Sequence, residues 1–204
     1  MSAPLFQRFA IMEFIDLIKR NRSYRNFDES AKLSRETVLS FIECARLSAS
    51  AANAQPLKYY VSTDADTNAL IQKETAWAAK LRPQRMLPDA GHNPTAFIVI
   101  CVDTTIQKQP ANADRDIGIA AQSILLSAVS QGYGGLMIGA FNRQNTKQAL
   151  RLAENMEPAL VIALGKPAEK VVLEDSNGSI DYYRDEKDVH HVPKRRMEEI
   201  IINE

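Results

Sequence analysis

The chain has 204 residues, 45% of them hydrophobic, with 25 Lys plus Arg against 25 Asp plus Glu; it can bury a single-domain core and lacks the basic excess of a nucleic-acid binder. No run reaches the roughly 18 to 20 apolar residues of a membrane span, and residues 1–10 lack the basic start and apolar core of a signal peptide, so a cytoplasmic location is expected. Cys44 and Cys101 lie far apart within apolar patterns, which predicts two buried small hydrophobes and no disulfide.

Ile11, Phe14, Ile15 and Ile18 recur at helical spacing and predict an amphipathic helix over roughly residues 8–20. Ser34 is a candidate N-cap, with Glu36 in the first turn, for a second helix whose apolar face is Val38, Phe41, Ile42 and Ala45. Pro56 stops any helix there; Lys58 to Thr63 predicts a short strand, and Asp64 caps a third helix running towards Leu81. Residues 81–94, with three prolines and a glycine, read as a long loop of the kind that often acts as a lid. Thr95 to Val102 is a strand buried on both faces. Asp114 to Gln131 is the strongest helix, with stripes on two sides that predict burial nearly all round, between a sheet and another layer or subunit. Gly132 is its left-handed cap. Leu136–Gly139 predicts a strand or turn, Asn145–Ala153 a short helix, Pro158–Leu164 a buried strand, and Ile180–Arg184 a last strand before a polar tail. The chain reads as one α+β domain over residues 1–204.

Two cationic clusters stand near opposite ends, Arg20-Asn21-Arg22-Ser23-Tyr24-Arg25-Asn26-Phe27 and His190-His191-Val192-Pro193-Lys194-Arg195-Arg196. Guanidinium forks and an ammonium suit a phosphate dianion. At strand spacing Lys194 and Arg196 project to one side and Arg195 to the other. Taken singly, each cluster is also an ordinary solvated basic surface. Between them lies a small polar segment, Ser48-Ala49-Ser50-Ala51-Ala52-Asn53-Ala54-Gln55-Pro56. Taken locally, it is a helix end running into a proline-terminated turn. The order Arg-Ser-x-Arg-x-Phe, then Ser-Ala-x-Asn-x-Gln-Pro about 25 residues later, resembles the FMN-dependent nitroreductase family over essentially the whole chain.

That resemblance implies a central mixed, mainly antiparallel sheet flanked by helices, in an intertwined homodimer with FMN at the subunit interface. It implies that Arg22 and Ser23 hold phosphate and ribityl oxygens, and that Lys194 and Arg196 reach the same phosphate. Arg25 is implied near the flavin N1/O2 edge, where a fixed cation stabilises the reduced ring. Ala49, Ser50, Ala51, Asn53 and Gln55 are implied to cover the flavin from the partner subunit, while Gly139 and Ala140 offer a backbone N–H to N5. The sequence departs from the pattern at Asn21, where many relatives carry a second arginine; Arg20 is a candidate replacement. The implied activity uses NADH or NADPH to reduce nitroaromatics, quinones or similar small acceptors by ping-pong hydride transfer, with no side-chain acid or base required. Other flavin chemistry on this fold (dehalogenation, azoline oxidation, flavin fragmentation) and a non-enzymatic FMN carrier or redox sensor are the alternatives.

No zinc spacing joins His92, His190, His191 and the two cysteines, so no metal is expected. No Gly-x-Ser-x-Gly elbow, P-loop or His-Glu-x-x-His occurs. The glycines at 132–135 do not follow a strand as a dinucleotide fingerprint must. Trp77, Arg82 and His92 flank the long loop and are candidates for a substrate wall, or simply a packed tryptophan with solvated charges.

Overall fold

The computed structural model describes residues 13–77 and 85–203. Helix α1 (Phe14–Arg20) leads into β1 (Phe27–Asp28). Helix α2 (Arg35–Arg46) starts where the Ser34 hydroxyl accepts the Thr37 N–H at 3.1 Å. Strand β2 (Leu57–Ser62) and helix α3 (Ala65–Lys73) follow, the latter capped by the Asp64 carboxylate on the Thr67 N–H at 2.8 Å. Beyond the 85–95 loop come β3 (Ala96–Asp103), α4 (Asp114–Ser130) and β4 (Gly134–Ile138). Helix α5 (Arg143–Ala149) precedes the long β5 (Met156–Pro167). Three short strands, β6 (Val171–Asp175), β7 (Tyr183–Arg184) and β8 (His190–Lys194), and a final turn of helix α6 (Met197–Ile200) complete the chain.

Strand β5 is the hub of a five-stranded sheet: it pairs antiparallel with β3, β4 and β1, and β3 pairs antiparallel with β2. Every residue of β3 is buried, and the two faces of that strand feed two cores. Ala96, Ile98, Ile100 and Val102 pack with Phe41 of α2 and Ile124 of α4. Phe97, Val99 and Cys101 point the other way, towards Ile71 of α3, Trp77 and Leu136. This period-two alternation lets one strand serve both layers of helices. The second sheet is small, with β6 parallel to β8 and β8 antiparallel to β7. An α+β fold with a mainly antiparallel sheet flanked by helices results.

Several elements differ from the sequence reading, each for a physical reason. Helix α3 ends at Lys73 and does not run towards Leu81. After it the chain is drawn into pairing with the segment beyond β4: the Ala76 N–H donates to the Ala140 carbonyl at 2.8 Å, and the Asn142 N–H to the Glu74 carbonyl at 2.9 Å. Cys44 is exposed, not buried, because the stripe of α2 that meets the sheet is Val38, Phe41 and Ala45, and Cys44 lies off that line; Cys101 is buried as expected. The tail read as polar contains β8, a strand whose sequence His-His-Val-Pro-Lys has no apolar alternation and which forms by pairing with β6 and β7. Residues 81–84 of the predicted loop, Arg82 among them, and 8–12 of the first predicted helix lie outside the described residues. Gly132 takes its left-handed φ of 80° after α4, as a helix-ending glycine should.

Candidate functional site

The first cationic cluster sits where the chain leaves α1 and crosses to β1. Ser23 bridges to Gly135, and the Tyr24 N–H donates to the Gly135 carbonyl at 3.2 Å, which fastens the cluster beside β4. The approach leaves no room for side chains on the glycines: a Cβ at Gly134 would stand 2.6 Å from the Tyr24 ring, and one at Gly135 2.3 Å from the Ala163 carbonyl oxygen. The small sheet then folds over from the opposite end of the chain. Between them opens a cleft of about 380 Å³.

One wall of the cleft is Arg22, Ser23 and Arg25; the floor is Gln122 and Leu125 of α4 with Met137 of β4. The other wall is Val171, Tyr182, His190, Val192 and Lys194. The two clusters of the sequence therefore share one cavity. Arg22 is anchored by donating Nη2 to the Ile18 carbonyl at 2.8 Å, and its Nε is buried without a hydrogen-bond partner. Arg25 lies over the Tyr182 ring at 5.4 Å from its centroid, with Nη1 3.4 Å from His190 Nε2 and 3.2 Å from the Ser23 carbonyl. Its Nε, too, is buried and unpartnered. Burial is the main influence lowering the pKa of both guanidiniums from the ordinary arginine value, opposed at Arg25 by Tyr182 and Glu169. Burial, reinforced by Arg25 and Arg184, pushes the His190 imidazole down to about 4, so it is neutral near pH 7 and can accept from Arg25.

Arg196 stands apart from this group. It lies past the end of β8, exposed at the start of α6, where its backbone N–H donates to the Glu199 carboxylate at 2.8 Å. Lys194, the last residue of β8, lines the cleft, and Arg195 pairs loosely with Glu199 at 3.9 Å.

The Ser48–Gln55 segment lines a different cavity, of about 250 Å³, with Arg46, Tyr59 and Asp116. Asp116 is buried in the first turn of α4 and accepts both the Ser50 hydroxyl and the Ala51 N–H. The turn is strained: Ala52, Asn53 and Gln55 have φ of 51°, 54° and 51°, left-handed values that side chains disfavour. The Gln55 amide donates to the Asn53 side-chain oxygen at 3.1 Å, so the two polar side chains are held together. Ala49, Ser50 and Gln55 line this second cavity; none of the segment lines the Arg22 cleft within the same chain. Gly139 and Ala140 are exposed just past β4, and a Cβ on Gly139 would meet nothing within 4 Å.

Sequence reasoning did not single out Tyr182, Val171, Gln122 or Met137. Nothing in their spacing marks them; they reach the cleft only because β6–β8 fold back onto α4 and β4. Trp77 is 3% exposed and bonds the Thr75 hydroxyl through its indole N–H at 2.6 Å, as a packed tryptophan does. It borders a separate, larger hollow of about 540 Å³ beside α3, away from the cationic cleft. Among the described residues no cluster of His, Cys, Asp and Glu suits a metal ion, and no helix is long and apolar enough to cross a membrane.

Comparison with known proteins identifies the family and the fold. Residues 18–166 match the model of the nitroreductase family. A protein of Archaeoglobus fulgidus with the provisional name NADH dehydrogenase/NAD(P)H nitroreductase is 28% identical over 163 residues, covering 78% of this chain and 87% of its own. The solved nitroreductase family protein of Clostridium novyi NT superposes with a TM-score of 0.63 at 26% identity, over 76% of this chain and 87% of its own. The NADPH:FMN oxidoreductase of Vibrio harveyi, solved with NAD+, shares the fold with a TM-score of 0.61 at 24% identity, over 76% of this chain and 69% of its own. The chain belongs to the nitroreductase family.

Proposed function

We propose that this chain is an FMN-dependent oxidoreductase that takes reducing equivalents from NADH or NADPH and delivers them to an electron-poor small molecule such as a nitroaromatic or quinone. One observation carries the reading: Arg22, Ser23, Arg25 and Lys194, from opposite ends of the chain, line a single cleft. The donor set fits FMN. Arg22, Ser23 and Lys194 suit a terminal phosphate, and the buried, unpartnered Nε atoms of Arg22 and Arg25 are donors in want of an acceptor. FAD, with a bridging diphosphate and an adenosine, has no recognisable element here to receive it.

When bound, the flavin supplies hydride transfer through its N5 atom. Arg22, Ser23 and Lys194 would hold the phosphate end. Arg25, held between Tyr182 and His190, would supply a cation to the pyrimidine part of the ring, where negative charge collects on reduction. The exposed backbone at Gly139 and Ala140 lies past the end of β4 and suits close approach to the ring. Arg196, exposed at the start of α6 and outside the cleft lining, would have to turn back towards the cleft to serve as a second phosphate ligand.

The Ser48–Gln55 segment completes the site from a second copy. Its strained turn, held open by Asp116 and absent from its own chain's cleft, is the kind of pre-set surface that receives a ligand from a partner. Anaerobic titration of the flavin-loaded protein with NADH and NADPH, then an acceptor, tests the activity. Bleaching by a nicotinamide and recovery by a quinone or nitroaromatic is the expected result; a bound flavin that no nicotinamide reduces would contradict it.

A further inference from the structure

We infer that Glu169 is a positioning residue of the cleft, pinning the two walls to one buried carboxylate and so fixing where the Arg25 guanidinium points. The inference rests on the flavin reading only for the identity of the ligand. Glu169, Arg184 and the whole small sheet lie beyond the residues that match the family model.

One oxygen of Glu169 accepts the backbone N–H groups of Arg25, by a short bond, and of Asn26, at 3.0 Å. The other receives Nη2 of Arg184, from β7. Both side chains are buried, Glu169 to 3% exposure and Arg184 to 8%. One carboxylate thus ties the backbone of the arginine wall to the sheet that forms the other wall.

The pinning continues as a closed circuit. Arg184 also donates to the Asp188 carbonyl and carboxylate, each at 3.2 Å, and Asp188 pairs with Arg85. Arg85 pairs with Asp89, and Asp89 exchanges two bonds with Asn26: it accepts from the side-chain amide at 2.5 Å and donates its N–H to the side-chain oxygen at 2.9 Å. The circuit begins and ends at Arg25–Asn26 and passes through the C-terminal sheet and the 85–89 loop. A chain of alternating charges closed on itself holds its members in one geometry, and a buried pair serves such specificity better than it serves stability.

That distinction gives the test. Removing one partner of a buried pair strands a charge, whereas removing both costs far less. The double variant Glu169→Leu/Arg184→Leu is therefore expected to lower the flavin-free unfolding midpoint less than Glu169→Leu alone, the remaining loss coming from the Arg25 and Asn26 N–H groups left without an acceptor. The backbone amides of Arg25 and Asn26 should lose protection from hydrogen exchange. FMN and riboflavin should both bind about 10- to 100-fold more weakly, since ring-edge alignment and not the phosphate is lost. The midpoint potential of bound FMN should shift negative as Arg25 leaves the edge. Unchanged amide protection together with unchanged flavin affinity would overturn the inference. If the double variant does not fold, Glu169→Gln keeps an oxygen for the Arg25 and Asn26 N–H groups but sets an NH2 group against Arg184, so it is read by flavin affinity and midpoint potential, and unchanged values of both would overturn the inference. Wild-type protein that binds no flavin would sink the flavin reading instead, and the exchange measurement would still decide the pinning.

Discussion

At the scale of single residues, the cleft is defined by the states of its buried polar groups. His190 is 2% exposed and faces Arg25, Arg184, Glu169 and His191. Unfolded, its imidazole takes up a proton as pH falls through the ordinary 6.5; folded, it resists until about 4. Its folded pKa is lowered, so its contribution to stability is fully present above 6.5 and is lost as pH falls through that window towards 4. The adjacent His191 has the opposite sign. It sits between Glu174 and Asp185 at 3.0 and 3.2 Å, hydrogen bonding to both raises its pKa, and its contribution is lost as pH rises through the raised value. Urea unfolding at pH 7 and pH 4.5 separates the first effect: His190→Gln should lose less stability on acidification than wild type. An equal loss would show that His190 is not held neutral. The two adjacent histidines, as members of the second cationic cluster, were legible in the sequence. Their environments were not, because Glu174, Asp185 and Arg25 come from three other segments.

At the scale of elements, hydrophobic periodicity located the helices and buried strands well and the short polar strands poorly. The run Thr95–Val102 and the stripes of the fourth helix survive almost residue for residue as β3 and α4. Such segments carry their own apolar pattern, whereas β6, β7 and β8 are fixed by one another and by the Glu169–Arg184 pair. The glycines after α4 mark close approach. Gly135→Ala forces a Cβ to 2.3 Å from the carbonyl of Ala163 on the paired strand, so β4 must shift. It should destabilise by about 1–3 kcal/mol, measured as a lower denaturant midpoint. Gly139→Ala meets nothing within 4 Å and should leave the flavin-free midpoint unchanged, while weakening FMN if the ring lies against that backbone. Equal stability in both variants would contradict the packing argument for β4.

At the scale of the whole molecule, exposed apolar surface among the described residues supports the proposed second copy. Helix α1 has no buried residue, with Phe14 at 69% and Ile15 at 57% exposure, and Ile119 of α4 remains 41% exposed. Towards the C-terminus Met197, Ile200, Ile201 and Ile202 add a further apolar run in solvent. Large obligate interfaces resemble a divided core, so light scattering should give twice the 22.8 kDa chain mass, and a stable flavin-loaded monomer would contradict the shared site. The residues of the cationic clusters and of the Ser48–Gln55 turn could be picked out in the sequence, but not the fact that Arg22 and Lys194 line one cleft while Ser50 lines another cavity. That arrangement depends on the β6–β8 fold-back and on α4 holding the turn through Asp116.

The proposed convergence of the two clusters on one phosphate is tested most directly by titrating FMN and riboflavin into wild type and Arg22→Ala. Hydrogen bonds to a charged group are worth about 1.5 to 3 kcal/mol, so the variant should bind FMN roughly 10- to 100-fold more weakly than wild type. Riboflavin, without the phosphate, should bind both proteins with nearly the same affinity. An FMN affinity untouched by Arg22→Ala, or an equal loss for riboflavin, would show that the phosphate does not sit at this wall of the cleft.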